Sequence, residues 1–128
     1  MQQILLIAVG GSLGAIARYS LSTYVMGALN DVFPWGTLVV NLSGSFLIGM
    51  FVELFDQAIV PTNLRSLVTI GFIGAYTTFS TYSLETVNLL REGEVKIATL
   101  NILASNIFSI VLVVLGIYFS RVFVKFFS

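Results

Sequence analysis

The chain has no cysteine, no histidine, two prolines, one tryptophan, and only six basic and six acidic side chains in 128 residues. Without cysteine there is no thiolate nucleophile, disulfide or zinc–thiolate centre. Without histidine there is no imidazole to relay a proton near neutral pH. The charges cancel to zero, so no basic surface is available for nucleic acid. No GxxxxGK[ST] run is present to cradle a nucleotide phosphate. Enzymatic chemistry is not expected, and any transport is passive or driven by an ion gradient.

Apolar sequence fills the space that charge leaves. Hydrophobic residues make up 57% of the chain and mean hydropathy is +0.99, outside the soluble globular range. Uncharged stretches run from Met1 to Ala17, Val32 to Val52, Ser66 to Leu84 and Ile97 to Ser120. Each approaches the ~20 residues that cross a bilayer. The pattern predicts a single all-α domain over residues 1–128 with four transmembrane helices, at roughly 3–25, 34–55, 64–90 and 96–123. The first lacks a basic leading segment and a clear cleavage site, so it is expected to be a retained span.

Four spans place both termini and the loop near residues 56–64 on one side. Arg65, Arg121 and Lys125 lie there, against Arg91 and Lys96 on the other side. So small a difference gives almost no positive-inside signal, and insertion in both orientations is expected.

The spans carry sparse polar residues in register. In the first, Gly10 and Gly14 have the spacing that lets helices approach closely. Arg18 follows, and it either snorkels to the headgroups or faces a wet cavity. Pro34 and Trp35 suit the first turn and the interfacial belt of the second span. Thr37, Asn41 and Ser45 then form a stripe at four-residue spacing, and the amide of Asn41 has to find partners in another helix, in backbone or in a permeant species. Thr62 or Asn63 is a candidate N-cap for the third span. The tight loop from Arg91 to Lys96 makes spans three and four antiparallel neighbours. Asn101, Ser105 and Ser109 repeat the stripe in the fourth.

The segment Gly71-Phe-Ile-Gly-Ala-Tyr-Thr-Thr-Phe-Ser-Thr-Tyr-Ser83 is apolar enough for a span yet rich in glycine, serine and threonine. In lipid a helix is loosened only where protein or a water-filled cavity covers the freed backbone. A helix break is expected here, with Phe79 and Tyr82 turning a mixed apolar and hydroxyl face inward. Hydroxyls, one amide and aromatic ring edges are neutral, weakly positive donors. They suit an anion that must be dehydrated and then released.

Gly71-Phe-Ile-Gly74, Thr77-Thr-Phe-Ser-Thr-Tyr-Ser83 with Glu85, Trp35-Gly-Thr-Leu-Val-Val-Asn41-Leu and Gly11-Ser-Leu-Gly-Ala-Ile-Ala-Arg18 together resemble the Fluc (CrcB) family of fluoride channels over essentially the whole chain. The resemblance implies a dual-topology antiparallel dimer, of two copies or of this chain with a related one, in the bacterial inner membrane. Such a dimer would export cytoplasmic fluoride passively through two pores. It also implies a structural, untransported sodium ion held by the backbone carbonyls of Gly74 and Thr77. By motif position the fluoride pathway would comprise Asn41, Phe79, Ser80, Thr81, Tyr82, Asn101, Ser105 and Ser109, with Arg18, Thr37 and Glu85 towards the vestibules. Tyr82 departs from the pattern, since a second phenylalanine is usual there. At the position of Asn101 an aromatic hydroxyl can occur.

Two other classes fit parts of the sequence. A small four-helix multidrug exporter shares the size and charge balance, but it needs a glutamate inside span one, where this chain has Gly14 and Arg18. A non-transporting assembly subunit would pair its polar residues only with each other. The charge count also generates a test. Two lysines added to one connecting loop are expected to drive nearly all copies into one orientation, measured by side-specific labelling. A chain biased in this way is expected to be inactive alone and to recover when an oppositely biased chain is co-expressed. Full activity from a uniformly oriented population would refute the antiparallel arrangement.

Overall fold

In a computed structural model covering residues 1–128 the chain is entirely helical. Helix α1 (Gln2–Leu29), helix α2 (Trp35–Asp56) and helix α5 (Val95–Phe127) are long and apolar enough to cross a membrane. The third span is composite. A 3₁₀ turn (Thr62–Leu64) leads into a π-helical stretch (Ser66–Ile73) and one α-helical turn, α3 (Gly74–Tyr76). After the extended residues Thr77 and Thr78, helix α4 (Phe79–Arg91) resumes. The protein is a multi-pass, all-α membrane protein.

The ends follow local chemistry. Asn30 closes α1 in the left-handed conformation, at φ 44°, which asparagine tolerates better than most residues. Asp31 then accepts hydrogen bonds from the Trp35 indole N–H (2.8 Å) and the Val32 N–H (2.7 Å). Those two bonds, the indole first, hold its carboxyl below the usual carboxylate range. Pro34 precedes Trp35, the first residue of α2, as expected. The α4–α5 connection needs only three residues, with Gly93 at φ 81°.

Several boundaries differ from expectation. Helices α1 and α5 run to Leu29 and Phe127, past the predicted 25 and 123. Neither Thr62 nor Asn63 caps the third span: both lie inside the 3₁₀ turn, which is entered from Pro61 and continues through a helical Arg65. A residue already in the turn cannot also serve as its non-helical cap.

Two helix pairs form the frame. In α1, a Cβ added at Gly14 would lie 2.1 Å from the Phe72 carbonyl oxygen, so the backbones of α1 and the π-helical stretch touch directly. This bears out the close-approach reading of the first span. Helices α2 and α5 meet in the same manner, where a Cβ on Gly49 would lie 2.1 Å from the Val113 carbonyl oxygen. Ser120 Oγ donates to the Met50 carbonyl (2.9 Å), and the Arg121 guanidinium grips both oxygens of Glu53 at 2.9 and 3.2 Å near the helix ends. Between apolar helices in lipid there is no hydrophobic driving force, so backbone proximity and interhelical hydrogen bonds carry the association.

Gly49→Ala would force a methyl group into a backbone carbonyl that cannot rotate away. Overpacking of this kind typically costs about 1–3 kcal/mol. Gly49→Ala is expected to lower the unfolding midpoint in detergent accordingly, whereas Gly27→Ala, where a Cβ meets open space, is expected to lower it little. Equal midpoints for the two variants would remove the α2–α5 contact from the account.

Candidate functional site

The break in the third span is held from the second. Asn41 Nδ2 donates to the Thr78 carbonyl (2.9 Å), and the Thr78 N–H donates to Asn41 Oδ1 (2.8 Å). The side-chain amide thus pairs with one peptide unit as a strand neighbour would. The Thr78 N–H would otherwise close the next helical bond onto Gly74, and its diversion leaves that carbonyl without this partner. Thr77 and Thr78 are extended, with ψ of 156° and 120°. Thr78 also caps α4: its Oγ1 accepts from the Thr81 N–H (3.2 Å) and donates to Thr81 Oγ1 (3.0 Å). The Ser80 hydroxyl lies 3.4 Å from the same oxygen and is exposed.

Beside the break lies a cavity of about 470 Å³, whose lining includes Asn41, Ser45, Gly74, Thr77, Thr78, Phe79, Tyr82, Ser105, Asn106 and Ser109. A second cavity of about 200 Å³ has Arg18, Tyr19, Ser22, Thr37, Thr78 and Thr81 in its wall. Thr78 belongs to both walls and separates them. Arg18 makes no ion pair within the chain, which carries only the Asp56–Arg65 and Glu53–Arg121 bridges. Thr37 Oγ1 donates to Glu85 Oε1 (2.8 Å), while Glu85 Oε2 is buried without a partner. Glu85 borders a third cavity, with Asn88 and Glu92.

The structure sets most of the predicted residues along these three cavities and leaves Ser80 and Asn101 outside them. Tyr82 is only 8% exposed, whereas Phe79 is 75% exposed and borders the cavity from its open edge. Phe79 and Tyr82 are three residues apart on α4 and so share one face; Phe79, at the first residue of the helix, sits at the exposed edge of that face, and Tyr82 lies against Asn106 of α5. The two rings remain in contact, with centroids 5.4 Å apart and planes tilted by 49°.

Asn101 is 1% exposed and lies outside the large cavity. It donates to Thr86 Oγ1 (3.0 Å) and accepts from Ser105 Oγ (3.3 Å), so it anchors the track rather than lining it. Four residues of helix, about 6 Å of rise, carry the stripe from the α4–α5 seam at Asn101 to the cavity wall at Ser105.

Sequence reasoning missed Thr78 and Asn106. The signal for Thr78 was its place as a hydroxyl residue just ahead of a renewed helix, the N-cap pattern. Asn106 was signalled only by being an amide in an apolar span, one step off the stripe. Its Nδ2 reaches Tyr82 Oη at 3.1 Å.

The donor set at the break suits a monovalent cation better than a divalent one. The chain holds no cluster of acidic or thiolate ligands, Gly74 is exposed, and its carbonyl has lost the Thr78 N–H. Carbonyls freed at an interrupted helix are the kind that coordinate sodium.

Removal of the Asn41 amide should leave the N–H and C=O of Thr78 unpaired, at about 1–3 kcal/mol for each group. Asn41→Leu is therefore expected to lower unfolding free energy in detergent by that order. Asn41→Asp keeps an acceptor for the Thr78 N–H and is expected to lose less. A leucine variant as stable as the parent would show that the break needs no clamp.

Residues 5–117 match the family described as "CrcB-like protein, Camphor Resistance (CrcB)". The chain is 48% identical over 120 residues to the "Fluoride-specific ion channel FluC" of Magnetococcus marinus, covering 93% of this chain and 98% of that protein. It is 44% identical over 122 residues to the protein of the same name from Citrifermentans bemidjiense, covering 94% and 98%. The protein of that name from Salinibacter ruber is 49% identical over 116 residues, covering 91% and 87%. Matched over residues 5–117 and at least 44% identical to these relatives over nearly its whole length, the chain belongs to the CrcB-like family.

Proposed function

We propose that this protein is a fluoride-selective passive channel, working as an antiparallel dimer in the bacterial inner membrane. The observation that carries the reading is the neutral cavity beside Thr78, lined by hydroxyls, two amides and two aromatic rings, in a chain whose relatives are named as fluoride channels. Arg18, in the adjoining cavity, attracts an anion to the mouth. Thr78 and Thr81 begin to replace its water. The edges of Phe79 and Tyr82 and the hydroxyls of Ser105 and Ser109 continue that replacement. Each donor is weak, so the ion is both admitted and released. A larger anion meets the aromatic pair before it can shed its shell.

The outward Phe79 and the near-zero orientation signal support pairing with an inverted copy or a related chain, which would yield two pores. Within that dimer the carbonyls of Gly74 and Thr77 would hold a sodium ion, which supplies fixed positive charge at the break and is not transported. The side chain of Asn41 keeps the extended backbone at Thr78 in place, and Thr37 orients Glu85 at the far end.

Proteoliposomes containing only this protein are expected to release fluoride far faster than chloride, with no nucleotide and no proton gradient. Equal chloride release would refute selectivity. Phe79→Ile keeps bulk and removes the polarised ring edge, so flux is expected to collapse while the elution volume of the detergent-solubilised protein is unchanged. A fully active isoleucine variant would return Phe79 to simple packing.

A further inference from the structure

The polarity of one hydrogen bond beside the cavity follows from the heavy atoms alone. One terminal atom of the Asn106 amide lies 2.8 Å from the Ile102 carbonyl oxygen. A carbonyl cannot donate, so that atom is Nδ2, and it is the same atom that lies 3.1 Å from Tyr82 Oη. Its two hydrogens are thereby used, one on each oxygen. The Tyr82 oxygen is an acceptor in this pair, and its own hydrogen turns elsewhere. No group of the chain accepts it. The ring is fixed by burial, at 8% exposure, and by contact with Phe79, while both Tyr82 and Asn106 border the large cavity.

We propose that Asn106 sets the Tyr82 hydroxyl as a donor into the cavity, so that this pair adds an O–H ligand for the permeating anion. The proposal rests on the fluoride-channel reading and deepens it. Tyr82 touches the ion; Asn106 is a positioning residue that acts through it. Accepting a bond from the amide also polarises the phenol and strengthens its donation. At a place where the resemblance implies phenylalanine, the structure supplies the hydroxyl with a fixed orientation.

The test compares the fluoride-concentration dependence of flux in the wild type, Tyr82→Phe, Asn106→Leu, Asn106→Ala and the double variant Tyr82→Phe/Asn106→Leu. A hydrogen bond to an ion is strong enough that losing it should weaken apparent fluoride affinity about tenfold in Tyr82→Phe. The Asn106 variants should weaken it less, and the double variant should match Tyr82→Phe. Fluoride added to the wild-type protein should also shift the infrared C–O band of one tyrosine, and the shift should vanish in Tyr82→Phe and not appear with chloride. That measurement needs neither Asn106 variant to fold.

Wild-type protein that passes no fluoride would overturn the channel reading and this proposal with it. Selective wild-type flux with unchanged affinity and no band shift in Tyr82→Phe would overturn the hydroxyl's role alone. Losses that multiply in the double variant would show that Asn106 acts independently of Tyr82.

Discussion

The polar half of this protein depends on the pair of hydrogen bonds between the Asn41 amide and the peptide unit of Thr78. A span interrupted at mid-length exposes backbone groups that lipid cannot satisfy, at several kcal/mol apiece. One side chain with a donor and an acceptor on the same planar group meets both needs of one residue at once. Its consequences then spread along the chain. Thr78 is held extended and therefore available to cap α4. That cap fixes where α4 begins, and with it the face that Phe79 and Tyr82 share.

The clamp works only because its two partners are held still. Helix α2 is set against α5 by glycine-to-backbone contact at Gly49, and the third span is set against α1 in the same way at Gly14. Contacts of this kind leave little freedom for the helices to slide, since a carbonyl on a neighbouring helix has no alternative rotamer. The bidentate Glu53–Arg121 pair stands at the helix ends, where water can solvate it, and does not intrude on the cavity. Ion pairing is thereby kept at the periphery, and neutral hydrogen bonding surrounds the break.

Much of this was legible from residues alone. Apolar run length gave the spans, and the Gly10/Gly14 spacing gave the close approach on α1. The glycine and hydroxyl content of residues 71–83 gave the break. What periodicity does not specify is whether a polar face meets a helix or a cavity. Asn101 and Ser105 share one stripe, yet the first is sealed against Thr86 and only the second borders the cavity. The exposure of Phe79 was hidden for a related reason, because a shared helical face does not say how far neighbouring helices cover each of its residues. The π-helical turns of Ser66–Ile73 left no periodic signature in so uniformly apolar a segment. Asn106 stood outside the stripe, and its role exists only through Tyr82.

The absence of a charged side chain from the cavity wall bears on the rate of the proposed channel. A full positive charge about 4 Å from an anion near a protein surface attracts it by about 4 kcal/mol, enough to slow its departure by roughly a thousandfold. Neutral donors are individually weaker, so several of them share the dehydration without one holding the ion. Arg18 is consistent with this arrangement, because it lies in the adjoining cavity behind Thr78. In the proposed channel its field would raise the local anion concentration at the mouth, where water screens it. In that reading, a cation one cavity away from the hydroxyl track separates attraction from passage. In a passive pathway, capture and release have to be served by different residues.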